Sequence, residues 1–453
     1  MLFVFTALQL NAQQQITLEK IWGGAFRTQG MTALTAQKNT NQYTVLNFNR
    51  TAKNSQIDLY DFATLEMVRT LLEGKDFPAL SNGIDSYSFN DAENKILVSN
   101  NTEPIFRHSS VADFYLYDIE SKQLEKIANH KIQEPTFSPD GSKIAYAYQN
   151  NLYIWDIASK LTTQITFDGK KNQIINGITD WVYEEEFAFV RAFDWNVSGT
   201  HLAYIKFNES EVPEFSMDVY GTALYPSQEV FKYPKAGEKN AVVSLIVFDV
   251  NTKTTQNLIK YSAFGEFYIP RMKWTQDANV LSAQILNRHQ NELHLQFYDV
   301  KTNSSKLILS EKDNAYVDVH DNLTFLKDNS FIWTSEKDGY NHIYHYDKTG
   351  KLIKQITSGA WEVTNYYGFN EKTSTIYYES VENGSIYRDV YAIKINGKSK
   401  TRLSAKKGTN SATFSSTFAH FINSYSSSTH APTYTLHETK SGKLIKEIVN
   451  NQP

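Results

Sequence analysis

Three consecutive glutamates, Glu184, Glu185 and Glu186, follow Asp180-Trp181-Val182-Tyr183 and precede Phe187. A run of like charge is ordinarily a solvated helix face. Here the flanking aromatics pin the segment to the body of the protein, so the carboxylates cannot all point to water. Two carboxylates held side by side repel, and one of them takes up a proton unless a cation neutralises the pair. A primary ammonium suits that role because it presents three donors on one compact charge, with charge-assisted bonds of roughly 1.5–3 kcal/mol each. A second charged candidate is Phe106-Arg107-His108-Ser109, in a loop before the strand at Phe114. Alone, Arg107 reads as a surface arginine; its guanidinium fork is also the right shape for a peptide carbonyl or a carboxylate.

Other chemistry is missing from the chain. No glycines are arranged as G-x-S-x-G, so there is no strand-to-helix nucleophile elbow, and neither a phosphate-binding G-x-x-x-x-G-K-[ST] loop nor H-E-x-x-H occurs. His342 and His345, three apart on an expected strand, turn to opposite faces and make a poor metal pair. No metal or other cofactor is expected. There is no cysteine, which removes disulfides and thiolate chemistry but leaves the compartment open. A formal charge of -4 without a Lys/Arg cluster argues against nucleic acid.

The elements that must carry these residues repeat. Apolar and aromatic residues run into an Asp and a polar turn at Leu59-Tyr60-Asp61, Leu116-Tyr117-Asp118, Ile154-Trp155-Asp156, Val247-Phe248-Asp249, Phe297-Tyr298-Asp299 and His345-Tyr346-Asp347. Degenerate copies stand at Tyr391-Ala392-Ile393 and Tyr434-Thr435-Leu436. One strand earlier an aromatic leads into a turn, clearest in Phe137-Ser138-Pro139-Asp140-Gly141, where Gly supplies the positive φ of a tight hairpin. Several short strands per unit, at a period of roughly 40 to 50 residues, predict an all-β fold: a β-propeller of about eight blades. Most aromatic and aliphatic positions are then packing between blades.

Asp156 to Asp249 spans roughly two periods and holds one recognisable blade. The excess predicts an insertion over residues 167–241, broken by the inner strand of blade four at 193–207. Its first half carries the glutamates. Its second half, residues 211–240, contains Tyr225-Pro226 and Tyr233-Pro234, whose prolines forbid full pairing in a central strand, so an extended arm is expected. The apolar stretch Leu2 to Ala12 reads as a remnant of a secretory signal cut after Ala12, although it lacks a basic start. Residues 13–39 are then a lead-in and 40–450 the propeller.

On these residues the chain resembles the propeller domain of the dipeptidyl peptidase IV family, a branch of the prolyl oligopeptidase-type serine peptidases. The resemblance rests on Asp180 through Glu186, on Phe106-Arg107-His108-Ser109, on Tyr233-Pro234-Lys235-Ala236-Gly237 with Asn240, and on Asp338-Gly339-Tyr340-Asn341-His342-Ile343-Tyr344. It implies an exopeptidase that releases N-terminal dipeptides with Pro or Ala second. It also implies roles: Glu185 and Glu186 grip the substrate's protonated amine, Arg107 holds a carbonyl of the first or second residue, and the Tyr-Pro-Lys-Ala-Gly region belongs to an arm that builds a homodimer. The family's Ser, Asp and His lie in an α/β-hydrolase domain that follows the last blade, so this chain is expected to lack the triad and to be inactive alone. The family's mammalian cysteines are absent, which fits an exported protein at the periplasm or cell surface of a bacterium. The alternative from another class is a stand-alone propeller similar to TolB-type repeats, acting as a peptide-binding or scaffold module. Adjacent glutamates do not give the opposed carboxylates of a glycosidase.

Overall fold

The computed structural model describes residues 15–51, 54–259 and 263–451. The expected signal segment, residues 1–12, lies outside them. Among the described residues, eight antiparallel sheets follow one another along the chain, each built from neighbouring strands. These are the blades of the expected propeller. Seven sheets are simple four-stranded meanders, and the fourth is interrupted.

The Asp markers have a local cause. In blade one, the Asp61 carboxylate accepts the amides of Ala63 and Thr64, closing the turn that follows the third strand. Asp249 does the same for Asn251 and Thr252, and Asp299 for Lys301 and Thr302. An aspartate side chain that mimics a backbone turn is cheap to encode and recurs where the third strand hands over to the fourth in blades one to six. Phe137-Ser138-Pro139-Asp140-Gly141 closes the hairpin between the first and second strands of blade three, with Ser142 donating to Asp140 and Gly141 at φ +68.

Packing follows from strand alternation. Successive side chains point to opposite faces, and a blade is covered on both faces, so neighbours in sequence serve different interfaces. Ile96 and Val98 join the cluster shared with blade one, while Leu97 between them joins the cluster shared with blade three. Tyr378 packs toward blade six and Tyr377 toward blade eight. The ring closes in the same way: Tyr43, Val45 and Phe62 of blade one pack on Ile422 and Leu436 of blade eight. Each end blade uses only its own strands, so closure rests on this cluster, on Asn41 against His420, and on a reciprocal pair in which the Gln29 amide donates to Asn451 and the Asn451 amide donates to the Gln29 carbonyl. The strand Thr35–Ala36, inside the expected lead-in, already belongs to blade one.

Blade four differs from the simple reading of 193–207 as one inner strand. Two short strands, Ile174–Asn176 and Phe193–Trp195, both pair with His201–Asn208. The innermost strand is therefore split, and residues 178–191 leave the sheet between its halves, while Gly177 and Ala192 stay bonded to Ile205. The expected arm is present as a hairpin, Glu214–Val219 paired with Ser227–Lys232, that stands off the blade as its own two-stranded sheet. Pro226 and Pro234 stand just outside its second strand, where no ladder amide is required.

Candidate functional site

The excursion from blade four folds into one short helix, Trp181–Glu186. Asp180 starts it: its carboxylate accepts the Tyr183 amide at 3.0 Å, the usual service of an N-cap aspartate. Tyr183 then fixes the helix to the body. Its ring is buried among Phe187, Phe189, Phe207 and Tyr268, and its hydroxyl accepts the Ile269 amide of blade five at 2.9 Å. On the other side Trp181 lies 4.5 Å from Tyr233, at the base of the arm.

With the helix so fixed, three glutamates at about 100° per residue must point three ways. Glu184 points in. It is 1% exposed, and its Oε1 accepts the backbone amides of His108 at 2.7 Å and Ser109 at 2.9 Å. Glu185 points along the surface to Arg107. The guanidinium meets it with two parallel contacts, Nε to Oε2 at 3.0 Å and Nη2 to Oε1 at 3.0 Å. Glu186 points out and is exposed. It stands close enough to Tyr316 that, after burial and the charge of Asp318, it helps push that phenol's pKa up.

The structure thus brings together Arg107 and Glu185, residues 78 apart in sequence, and sets Glu186 beside them. The loop that carries Arg107 joins strands Lys95–Pro104 and Ser110–Asp118 of blade two, and Glu184 is what ties it to the helix. Phe106 also packs against Phe231 of the arm, with ring centroids 5.8 Å apart. Sequence reasoning missed the role of Glu184. Only its position in the run could have signalled it, since the residue on the buried side of a pinned helix must find donors.

The other candidates are structural. His342 is fully buried between Thr357 and the Gly359 carbonyl, while the imidazole of His345 meets Ser330, so the two histidines do not converge. Among the described residues, no group of three or more His, Asp or Glu is placed to hold a metal ion. Asn240, singled out in the sequence, donates to the Tyr268 hydroxyl at 2.7 Å.

The Arg107–Glu185 pair contributes little to stability, because Arg107 is 71% exposed and pairs at such positions are worth about 0–1 kcal/mol. Its value is positional: a fixed cation fork and a carboxylate whose second neighbour, Glu186, is left facing solvent. Such an array can take an ammonium on the carboxylate side and a carbonyl oxygen on the guanidinium side.

Residues 90–432 match the family described as dipeptidyl peptidase IV (DPP IV) N-terminal region. Dipeptidyl peptidase 4 of Felis catus is 31% identical over 412 residues, covering 84% of this chain and 53% of that protein. Prolyl endopeptidase FAP of Homo sapiens is 28% identical, covering 85% of this chain and 52% of that protein. The crystal structure of Porphyromonas gingivalis dipeptidyl peptidase 4 superposes with a TM-score of 0.90 at 35% identity, over 97% of this chain and 62% of that one. The chain spans about half the length of the curated relatives it matches.

Proposed function

This chain belongs to the dipeptidyl peptidase IV family through its N-terminal propeller region, and on that premise we propose that it is the substrate-anchoring half of a serine exopeptidase that releases N-terminal dipeptides with Pro or Ala second. The observation that carries the reading is the Arg107–Glu185 fork beside the solvent-facing Glu186, on a helix that Glu184 locks to the arginine's own loop. Glu185 and Glu186 grip the free α-amine, and Arg107 turns part of its fork to a carbonyl of the first or second residue. A peptide without a free amine leaves the carboxylates unmatched in a desolvated complex, an unfavourable arrangement that sets exopeptidase register.

In this account the Ser, Asp and His belong to an α/β-hydrolase domain outside this chain, and the propeller positions the scissile bond against it. The protein is exported to the periplasm or cell surface of a bacterium. The arm, with Phe215, Met217, Val219, Tyr220, Leu224 and Tyr225 exposed, supports pairing with a second copy.

The test uses the full-length enzyme. Replacing both carboxylates, Glu185→Gln with Glu186→Gln, is expected to lower kcat/KM on a free-amine Xaa-Pro substrate by about a hundredfold or more, equivalent to roughly 3 kcal/mol of lost charge-assisted bonding. Unchanged kcat/KM removes the amine clamp.

A further inference from the structure

A cavity of about 610 Å³ lies between blades three and four, the clamp helix, the base of the arm and the loop that carries Arg107, of which Ile105, Phe106 and Ser109 line it. Its inner wall holds two buried carboxylates, Asp180 and Glu209, which are 6% and 5% exposed. Phe106, Ile175, Trp181 and Phe231 supply apolar surface around them. Gln133 also lines the cavity. It is 9% exposed, and its carboxamide is not among the fully buried groups that lack a partner, so it is open to the space.

Asp180 has a structural duty as the helix cap. Glu209 has none of comparable weight. Burial drives the Glu209 carboxyl up to about 7, the charge of Asp180 adds to this, and Lys232 and the Asn172 amide only partly oppose it. Burial likewise pushes Asp180 up to about 6 against the amides of Tyr183 and Val182. Lys232 is largely occupied elsewhere, donating to the Val212 carbonyl at 2.8 Å with Glu214 nearby. The remaining charges lining the cavity, Lys170, Lys171 and Glu229, are exposed and screened by water. Two buried carboxylates that resist ionisation, on the wall of a cavity that the Gln133 side chain also lines, are a poor way to build stability and a good way to receive a positive charge.

We infer that this cavity is a second, separate binding site for an amphipathic ammonium: a primary amine whose charge sits between Asp180 and Glu209, with Gln133 as a further acceptor, and whose apolar body lies on Ile175, Trp181 and Phe231. The site is distinct from the clamp and does not depend on the clamp's function. Bound cation and ionised Glu209 stabilise each other, so affinity rises as pH rises through the neutral range and falls as Glu209 takes up its proton.

Calorimetric titration with 2-phenylethylamine, and with 2-phenylethanol as its neutral counterpart, tests this at pH 8. The amine is expected to bind at least tenfold tighter than the alcohol. Glu209→Gln, close to isosteric, should weaken the amine at least tenfold, and Asp180→Asn, which keeps the helix cap, should weaken it too. The Glu185→Gln, Glu186→Gln double variant removes any binding of the amine at the clamp and should keep the Glu209-dependent, pH-sensitive binding, separating this site from the clamp. Lowering the pH to 5.5 should weaken the wild type at least tenfold and Glu209→Gln far less. Equal binding of amine and alcohol, a Glu209→Gln variant that binds normally, loss of binding in the clamp double variant, or no binding at millimolar amine would each overturn the inference.

Discussion

Three adjacent glutamates do three different jobs because a helix separates consecutive side chains by about 100°. Glu184 is buried and structural, Glu185 is paired with Arg107, and Glu186 faces solvent. Substitution should separate them. Glu184→Ala removes two charge-assisted bonds to the His108 and Ser109 amides and leaves those donors unmatched, so unfolding free energy should drop by about 3 kcal/mol or more, measured by denaturant titration. Glu186→Gln, on an exposed side chain, should leave the same titration within about 0.5 kcal/mol of wild type while weakening amine recognition. The glutamate run and Arg107 were legible in the sequence because charge beside bulky aromatics is conspicuous. Their division of labour was not, since it depends on which side of the helix meets blade two. Glu209 was hidden for another reason: Asn208-Glu209-Ser210-Glu211 reads as a polar turn, and only the fold buries it beside Asp180.

At the scale of elements, the clamp helix has six residues and cannot stand alone, so its anchors decide whether it forms. Tyr183→Phe would leave the Ile269 amide buried without its acceptor and should cost about 1–3 kcal/mol, visible as a lower thermal midpoint. The buried Glu209 acts in the opposite sense. Its pKa is raised in the folded protein, so its favourable contribution is complete below the ordinary carboxylate range and is lost as pH rises through about 7. Glu209→Gln should therefore stabilise the protein at pH 8, by up to about 3 kcal/mol, and change little at pH 4; equal effects at both values would contradict the assignment. The blade repeats were readable because each Asp closes its own turn, a local task that leaves a local mark. The splitting of blade four's inner strand left no such mark. Its two halves are short, and their common partner His201–Asn208 looks like the continuation of a single strand.

Across the whole molecule, the ring places blade two's Arg107 loop and blade four's helix on one site, and the arm's base packs on both through Phe106–Phe231 and Trp181–Tyr233. The ring itself closes by side-chain packing between blades one and eight, where Phe62 is fully buried. Phe62→Ala should cost about 3–5 kcal/mol in a denaturant titration, as expected for emptying an aromatic site in a closed interface. The eight-bladed architecture was legible from periodicity, whereas closure was not, because Phe62 and Ile422 lie at opposite ends of the chain. The proposed role of this assembly is to recognise a free peptide amine. It is tested most directly by calorimetric titration of an Ala-Pro dipeptide and its N-acetylated form into the wild type and into the Glu185→Gln, Glu186→Gln variant. At least tenfold tighter binding of the free-amine form by the wild type is expected, with that preference abolished in the variant. Equal binding of the two forms by the wild type, or a preference that survives loss of both carboxylates, would contradict it.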